Sequence, residues 1–197
     1  MTAIDFWYEF ASTYSYPAAM RVEARAAERG VSVNWRPFLL GPIFADAGWR
    51  DSPFNIYPTK GRYMWRDMQR ICDALGLALR RPEPFPQNSL LAARIALALE
   101  GQARAAFSKA VYLAEFAEGR SISDRAVLSE ILASIGAEPA AVLNLAESAA
   151  NKERLKAECG LAKSLGLPGA PCLVTADGEI FWGNDRIEPA LDWAGRA

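Results

Sequence analysis

The sequence predicts an α/β fold in which a long helical region separates two groups of strands. Patterns typical of strands occur near the two ends of the chain, and apolar residues recur with helical spacing in the region between them. Of the 197 residues, 51% are hydrophobic and 23% are charged. This composition suits one sizeable domain, or a domain that carries a large insertion.

The chain is predicted to begin with a β-α-β unit. Residues 3–10 are apolar and rich in β-formers, apart from Asp5 and Glu9, which indicates a largely buried strand. Helical spacing follows over residues 12–29, and residues 31–38 alternate apolar and polar side chains as a second strand does. Because a helix joins the two strands, we expect them to be parallel with a right-handed crossover.

The middle of the chain is predicted to be helical. Residues 39–58 are rich in glycine, proline and aromatic residues and favour an ordered loop or short helices. Only helical patterns occur over residues 60–165. Met64, Met68 and Cys72 are spaced along one helical face, which makes Cys72 a core residue.

Strand patterns return at the end of the chain. Residues 172–182 contain two short β-runs joined around Asp177 and Gly178, a dipeptide typical of hairpins. Asp185 followed by Glu188 is a D-x-x-E pattern, which predicts that Asp185 caps a final helix.

This order of elements, β-α-β, helices and then β-β-α, is that of a thioredoxin-like fold with a large all-helical insertion. We therefore predict a discontinuous thioredoxin-like domain of residues 1–38 and 168–197, with a helical insertion domain of residues 39–167.

The composition excludes several classes of partner. The net charge of −1 comes from 22 basic and 23 acidic residues that are interleaved, so no basic stripe is available for nucleic acid or an anionic membrane surface. No apolar stretch approaches the roughly 18 residues of a membrane span, and the first residues do not resemble a signal peptide. We expect a soluble, cytoplasmic protein.

The sequence contains no histidine, which removes Ser-His-Asp and Cys-His catalysis and every histidine metal site. The three cysteines, Cys72, Cys159 and Cys172, are an odd number without C-x-x-C spacing, which argues against a disulfide scaffold and a thiolate metal site. Cys159 and Cys172 are also expected in the core. We therefore predict that the protein holds no metal and that the reactive group of its site comes from elsewhere than a histidine or a cysteine.

Ser12 follows the first strand, where a helix N-terminus offers free amides and a positive dipole. Its hydroxyl could donate a hydrogen bond to an anion held there, or it could simply be the N-cap of the helix. In thioredoxin-like proteins this place holds C-x-x-C, and a cis-proline precedes the third strand. Here the corresponding residues are Ser12, Ser15 and Pro171. Without cysteines the site cannot exchange disulfides, so a bound cofactor should supply the thiolate, and glutathione is the candidate.

Four motifs carry a resemblance to a known family: YEFASTYSY at residues 8–16, KGRY at 60–63, GLPGAP at 166–171 and FWGNDR at 181–186. With them the chain resembles, over nearly its full length, the 2-hydroxychromene-2-carboxylate isomerases and the kappa-class glutathione transferases of the DsbA-like superfamily. These include enzymes of aromatic compound degradation.

The resemblance implies roles for individual residues. Ser12 would be the catalytic serine that holds the glutathione sulfur as a thiolate. The other implied glutathione-binding residues are Ala170 and Pro171 at the cysteinyl part, Asn184 and Asp185 at the γ-glutamyl end, and Lys60 at a carboxylate. Lys60 could instead be a solvated surface residue.

Two residues depart from the family pattern. Thr13 replaces the usual proline after the first serine. Trp49, in the loop near Ala47, stands where the transferases have an asparagine that contacts glutathione. With Tyr63, Trp49 is assigned to binding of a flat aromatic substrate.

Three functions follow from this reading. The first is a glutathione-dependent cis/trans isomerase acting on an aromatic hydroxychromene carboxylate, in which a thiolate adds reversibly to a conjugated carbon. The alternative is a kappa-like glutathione transferase or peroxidase. The third is a thioredoxin-like binding protein without catalysis. The resemblance also implies a homodimer.

Overall fold

A mixed four-stranded sheet joins the two ends of the chain in the computed structural model, which describes residues 2–46 and 48–195. The strand order is β2-β1-β3-β4. The strands are β1 (Ala3–Tyr8), β2 (Ser32–Pro37), β3 (Cys172–Val174) and β4 (Ile180–Trp182). β1 and β2 are parallel, whereas β3 is antiparallel to both β1 and β4. The predicted β-α-β unit and the terminal hairpin are therefore confirmed.

β1 is the centre of the core. β2 and β3 pair with its two edges, and helices cover the faces of the sheet. Phe6, Trp7 and Tyr8 are fully buried. The Phe6 ring meets Trp35 of β2 edge-on, with 5.1 Å between ring centroids. Successive side chains of a strand point to opposite faces, so this unbroken apolar run is what a strand covered on both sides requires.

Helices occupy the rest of the chain. Between β1 and β2 lies α1 (Ser15–Ala27), and α10 (Ile187–Ala194) follows β4 and packs against α1. The intervening helices are α2 (Leu40–Asp46), α3 (Pro53–Ile56), α4 (Pro58–Leu75), α5 (Leu90–Ala98), α6 (Gly101–Tyr112), α7 (Arg125–Ser134), α8 (Pro139–Glu147) and α9 (Ala149–Ser164). A π-helical turn, Leu113–Ala117, extends α6.

The helical part confirms the predicted α/β fold with a helical insertion. Met64, Met68 and Cys72 are fully buried along α4, as their spacing predicts. The division into two domains at residues 38 and 168 stays a prediction. No helix among residues 2–46 and 48–195 is both long and apolar enough to cross a membrane.

The predicted cap of the last helix is wrong. A 3₁₀ turn, Asn184–Arg186, precedes α10, so that Arg186 rather than Asp185 occupies the N-cap position, and it makes no side-chain cap. The Asp185 carboxylate lies 3.2 Å from Nη1 of Arg186 instead. Glu188, the other residue of the D-x-x-E pattern, forms an ion pair with Arg21 of α1.

Candidate active site

A cavity of about 1140 Å³ opens beyond the carboxyl end of β1, between the sheet and the helical part of the chain. In parallel α/β arrangements this edge is where ligands bind. Six of the eight predicted site residues line the cavity: Ser12, Trp49, Lys60, Ala170, Asn184 and Asp185. The fold therefore brings together segments that lie far apart in the sequence.

Ser12 lies in the turn that leads from β1 into α1. Its backbone N–H donates to Glu9 O at 3.1 Å, and its carbonyl accepts from Ser15 N at 3.1 Å. Because α1 begins only at Ser15 and has Tyr14 at its N-cap, the N-cap interpretation of Ser12 is wrong. The Ser12 hydroxyl instead donates to the carbonyl oxygen of Ala170 at 2.9 Å. This bond connects the two motifs that the sequence analysis paired.

The peptide bond between Ala170 and Pro171 is cis, as expected from the thioredoxin-like pattern. Pro171 does not belong to the described lining of the cavity, and its carbonyl accepts from Gly183 N at 2.9 Å. The next residue, Cys172, is fully buried, and its thiol donates a hydrogen bond to the carbonyl oxygen of Gly169 at 3.2 Å. Burial raises the pKa of the Cys172 thiol to about 12.

The other two cysteines are also buried core residues, as predicted. Burial raises the pKa of Cys72 to about 11 and also raises the pKa of Cys159. Since a thiolate is the reactive form of cysteine, none of the three is a ready nucleophile.

Asn184 is nearly buried at the cavity wall and is fixed by Arg21. Nε of Arg21 donates to Asn184 Oδ1 at 3.0 Å, and Nη2 donates to Asn184 O at 2.6 Å. The third guanidinium nitrogen, Nη1, pairs with Glu188. Because the amide oxygen is occupied, the amide NH₂ is the group that Asn184 can offer to a ligand. Asp185, in contrast, is exposed at the cavity mouth.

The opposite wall combines two cationic residues, Arg50 and Lys60, with aromatic residues. Lys60 lies in the first turn of α4, with Nζ 4.7 Å from the ring centroid of Tyr57, and forms no ion pair among residues 2–46 and 48–195. Trp49 packs against Phe44, with 5.7 Å between ring centroids. Ala47, in the loop before Trp49, lies outside the described residues.

The structure does not place Tyr63 with the others. Lys60, Asp67 and Ile71 line the cavity because their spacing puts them on one face of α4. Tyr63 does not lie on this face of α4 and is largely exposed. Its ring contacts Arg70, whose guanidinium carbon is 5.7 Å from the ring centroid.

Glu9 and Ser89 are among the polar residues of the cavity that sequence reasoning missed. Glu9 lines it and is nearly buried, and the hydroxyl of Ser89, another lining residue, donates to Glu9 Oε1. The available signal was an acidic residue at the end of an apolar strand. Thr13 also lines the cavity, and its buried hydroxyl has no hydrogen-bond partner among the described residues. An unpaired buried hydroxyl at a cavity wall is a group that a ligand can satisfy.

Comparison with known proteins shows relatives along the whole chain. The family model described as DSBA-like thioredoxin domain matches residues 3–192. The 2-hydroxychromene-2-carboxylate isomerase of Sphingobium xenophagum is 28% identical over 187 residues, which are 94% of each chain. The enzyme of the same name from Pseudomonas putida is 24% identical over 184 residues, covering 93% of this chain and 90% of the relative.

A solved structure of a 2-hydroxychromene-2-carboxylate isomerase superimposes with a TM-score of 0.87 at 24% identity. The superposition covers 98% of this chain and 95% of the other. At this identity, the likeness shows a common fold.

Proposed function

Because the chain belongs to the DSBA-like thioredoxin domain family but has serines where its redox members have cysteines, we propose that it is a glutathione-dependent isomerase. The proposed reaction is the cis/trans isomerisation of 2-hydroxychromene-2-carboxylate or a related aromatic carboxylate. The observation that carries the proposal is the 2.9 Å hydrogen bond between Ser12 and Ala170, which puts the serine hydroxyl beside the residue before the cis-proline in a protein whose three cysteines are buried. The two relatives that bear this enzyme name support it.

The residues of the cavity suit glutathione as the cofactor. Glutathione is a peptide with two carboxylates, and the cavity offers the ammonium of Lys60, the amide of Asn184 and the unpaired hydroxyl of Thr13. Ala170 next to the cis-proline would pair its backbone with the cysteinyl part. We place the γ-glutamyl end at Asn184 and Asp185, as the resemblance implies.

Bound glutathione would supply a thiolate that adds to a conjugated carbon of the substrate. The former double bond could then rotate as a single bond, after which the thiolate would be expelled. The contribution of Ser12 is to donate its hydroxyl hydrogen to the negative sulfur. The N-terminal end of α1 adds the positive partial charge of its free amides. Both effects favour the ionised thiol, and therefore lower its pKa.

Trp49 and the surrounding apolar side chains would hold the aromatic part of the substrate. Lys60 is a cation on this side of the cavity, and we assign it to a carboxylate of glutathione or substrate. Tyr63 is left out of this proposed site because of its exposed position on α4. An aromatic residue in place of the transferases' asparagine favours an isomerase over a transferase. We extend the proposal to a homodimer, which sedimentation of the purified protein tests.

The experiment that tests the function is a mass balance. The protein is incubated with substoichiometric glutathione and a panel of chromene carboxylates, while isomerised product and free thiol are measured together. An isomerase returns the glutathione unchanged after many turnovers. A conjugate or oxidised glutathione would assign the protein to the transferases or peroxidases, and failure to bind glutathione would favour a binding protein without this chemistry.

A further inference from the structure

Glu9 is an acidic residue in the wall of the same cavity, one turn before Ser12. Its carbonyl oxygen accepts from Ser12 N at 3.1 Å, which fixes the two residues relative to each other. The side chain is 5% exposed, and the residue contributes to the cavity lining. The carboxyl group therefore belongs to a buried residue of the cavity wall and is bonded to Ser89, another lining residue.

The carboxyl group of Glu9 interacts with two hydrogen-bond donors. Oε1 accepts from the hydroxyl of Ser89, which lines the cavity too. The backbone N–H of Ala11 also interacts with the carboxyl group. A carboxylate offers about four acceptor sites, so these two donors leave it able to take up a proton.

The groups that face Glu9 from other elements do not neutralise a negative charge. Tyr112 of α6 donates its hydroxyl to the Glu9 carbonyl at 2.8 Å. Glu115, in the π-helical turn, is a second buried acid close enough to be repelled by Glu9, and Cys159 of α9 lies within the same electrostatic range. Among the described residues, no lysine or arginine forms an ion pair with Glu9.

This environment favours the protonated carboxyl group. Burial raises the pKa of Glu9 to about 7, and the hydrogen bond from Ser89 reduces the shift. Glu9 therefore titrates near neutrality, where an effective proton acceptor should titrate. In a chain without histidine, this is a property that another residue type must supply.

A thiol that is to be ionised in this cavity must give its proton to some group. A thiolate and an ionised Glu9 would be two negative charges in one poorly hydrated space, and their repulsion favours a state in which one proton is retained. Ser12 and the end of α1 favour the negative charge on the sulfur. The retained proton then belongs on the carboxyl group.

We propose that Glu9 is the general base of this site, and that its carboxylate takes the proton of the glutathione thiol. The S–H bond breaks as the O–H bond forms, the sulfur keeps the electron pair, and Glu9 holds the proton while the sulfur is negative. The inference rests on the proposed function, since it takes glutathione to be the cofactor.

The test counts protons. Glutathione binding is followed by calorimetry in buffers of different ionisation enthalpy at about pH 8, roughly one unit above the pKa of Glu9. The ultraviolet absorbance of the thiolate is recorded in parallel, and S-methylglutathione, which has no thiol, provides the reference for all other proton changes. The wild-type protein should release close to zero protons per thiolate formed, because Glu9 keeps the proton.

In Glu9→Gln, the same ratio should rise to about one proton per thiolate, or the thiolate should fail to form although glutathione still binds. The matched control is Glu115→Gln, which removes a buried acid outside the cavity lining and should keep the wild-type ratio. If Glu9→Gln does not fold, Ser89→Ala replaces it: loss of the Ser89 bond should move the onset of glutathione-dependent proton uptake by the carboxyl group to higher pH.

One proton released per thiolate by the wild-type protein would overturn the role of Glu9 and leave the proposed function standing. No glutathione binding by the wild-type protein would overturn the proposed function, and this inference with it.

Discussion

Replacing Ser12 by alanine removes the hydroxyl that we assign to the thiolate. In the structure this hydroxyl donates to Ala170 O, so it must exchange a neutral acceptor for a charged one when the cofactor binds. A hydrogen bond to a charged group contributes about 1.5–3 kcal/mol and a neutral one about 0.5–1.5 kcal/mol. The midpoints of these ranges differ by about 1.25 kcal/mol, which corresponds to about one pKa unit of the bound thiol.

The measurement is a titration of the thiolate absorbance of bound glutathione in wild-type protein and in Ser12→Ala. We expect the thiol pKa to rise by about one unit in the variant, and turnover below this pKa to fall by about tenfold with the thiolate fraction. Folding should be little affected, because Ala170 lines the cavity and water can replace the lost donor.

The matched control is Ser15→Ala, which removes the second serine of the motif, a fully buried residue that is not part of the cavity lining. Its effect on the thiol pKa should be much smaller. An unchanged titration in Ser12→Ala would refute the donor role, and an equal shift in both variants would mean that the wrong serine had been chosen.

Three further predictions concern the surroundings of the site. Replacing all three buried cysteines by alanine should lower stability by about 1 kcal/mol each but leave glutathione-dependent turnover in place. Arg21→Ala should raise the KM for glutathione several-fold with a smaller change in kcat, because it frees the Asn184 amide that the guanidinium holds. Glu115→Leu should stabilise the protein by about 1–3 kcal/mol, because neither carboxyl oxygen of this buried residue has a hydrogen-bond partner in the part of the chain that the structure describes.

Each of these has its own check. Loss of turnover in the folded cysteine variant would contradict the inference that glutathione, and not a cysteine of the protein, supplies the reactive thiol. Arg21→Lys keeps the positive charge but loses the planar guanidinium that binds Asn184 with two nitrogens, so this variant should also bind glutathione weakly. An affinity equal to that of the wild-type protein would show that only the charge matters. Chemical denaturation as a function of pH measures the gain from Glu115→Leu.

The pH dependence of that gain has a definite sign. Burial raises the pKa of Glu115 well above its ordinary value of 4.5, with repulsion from Glu9 adding to it. Above that ordinary value the unfolded chain releases a proton that the folded chain keeps, so wild-type stability falls as pH rises. The advantage of the leucine variant should therefore grow with increasing pH, and a constant advantage would contradict the assignment.

Local patterns predicted much of the fold. The apolar run of β1, the hairpin around Gly178 and the buried face of α4 follow from periodicity and turn chemistry within a few residues, and the structure confirms all three. Gly178 has φ of 89°, a conformation that glycine adopts without strain. Such features depend on neighbours in the sequence, so the sequence contains the information that determines them.

The cap predicted for Asp185 and the alternative cap role of Ser12 were wrong for a common reason. A capping pattern predicts that a side chain bonds to the backbone of its own helix, but the N-cap positions are Tyr14 and Arg186, which come two residues after Ser12 and one residue after Asp185. Tertiary contacts take the polar groups instead: Ser12 bonds to Ala170 across the fold, and Glu188 pairs with Arg21.

By itself, the sequence determined the order of the elements, the absence of histidine chemistry and the placement of Ser12 and Pro171 at the edge of one sheet. Only the tertiary structure decided that the Ser12 hydroxyl meets Ala170, that Arg21 holds Asn184 and that Glu9 is buried at the cavity beside Ser89. The physical reason is that these contacts join residues 80 or more positions apart, whose distance and burial depend on how helices and sheet pack, and not on local spacing.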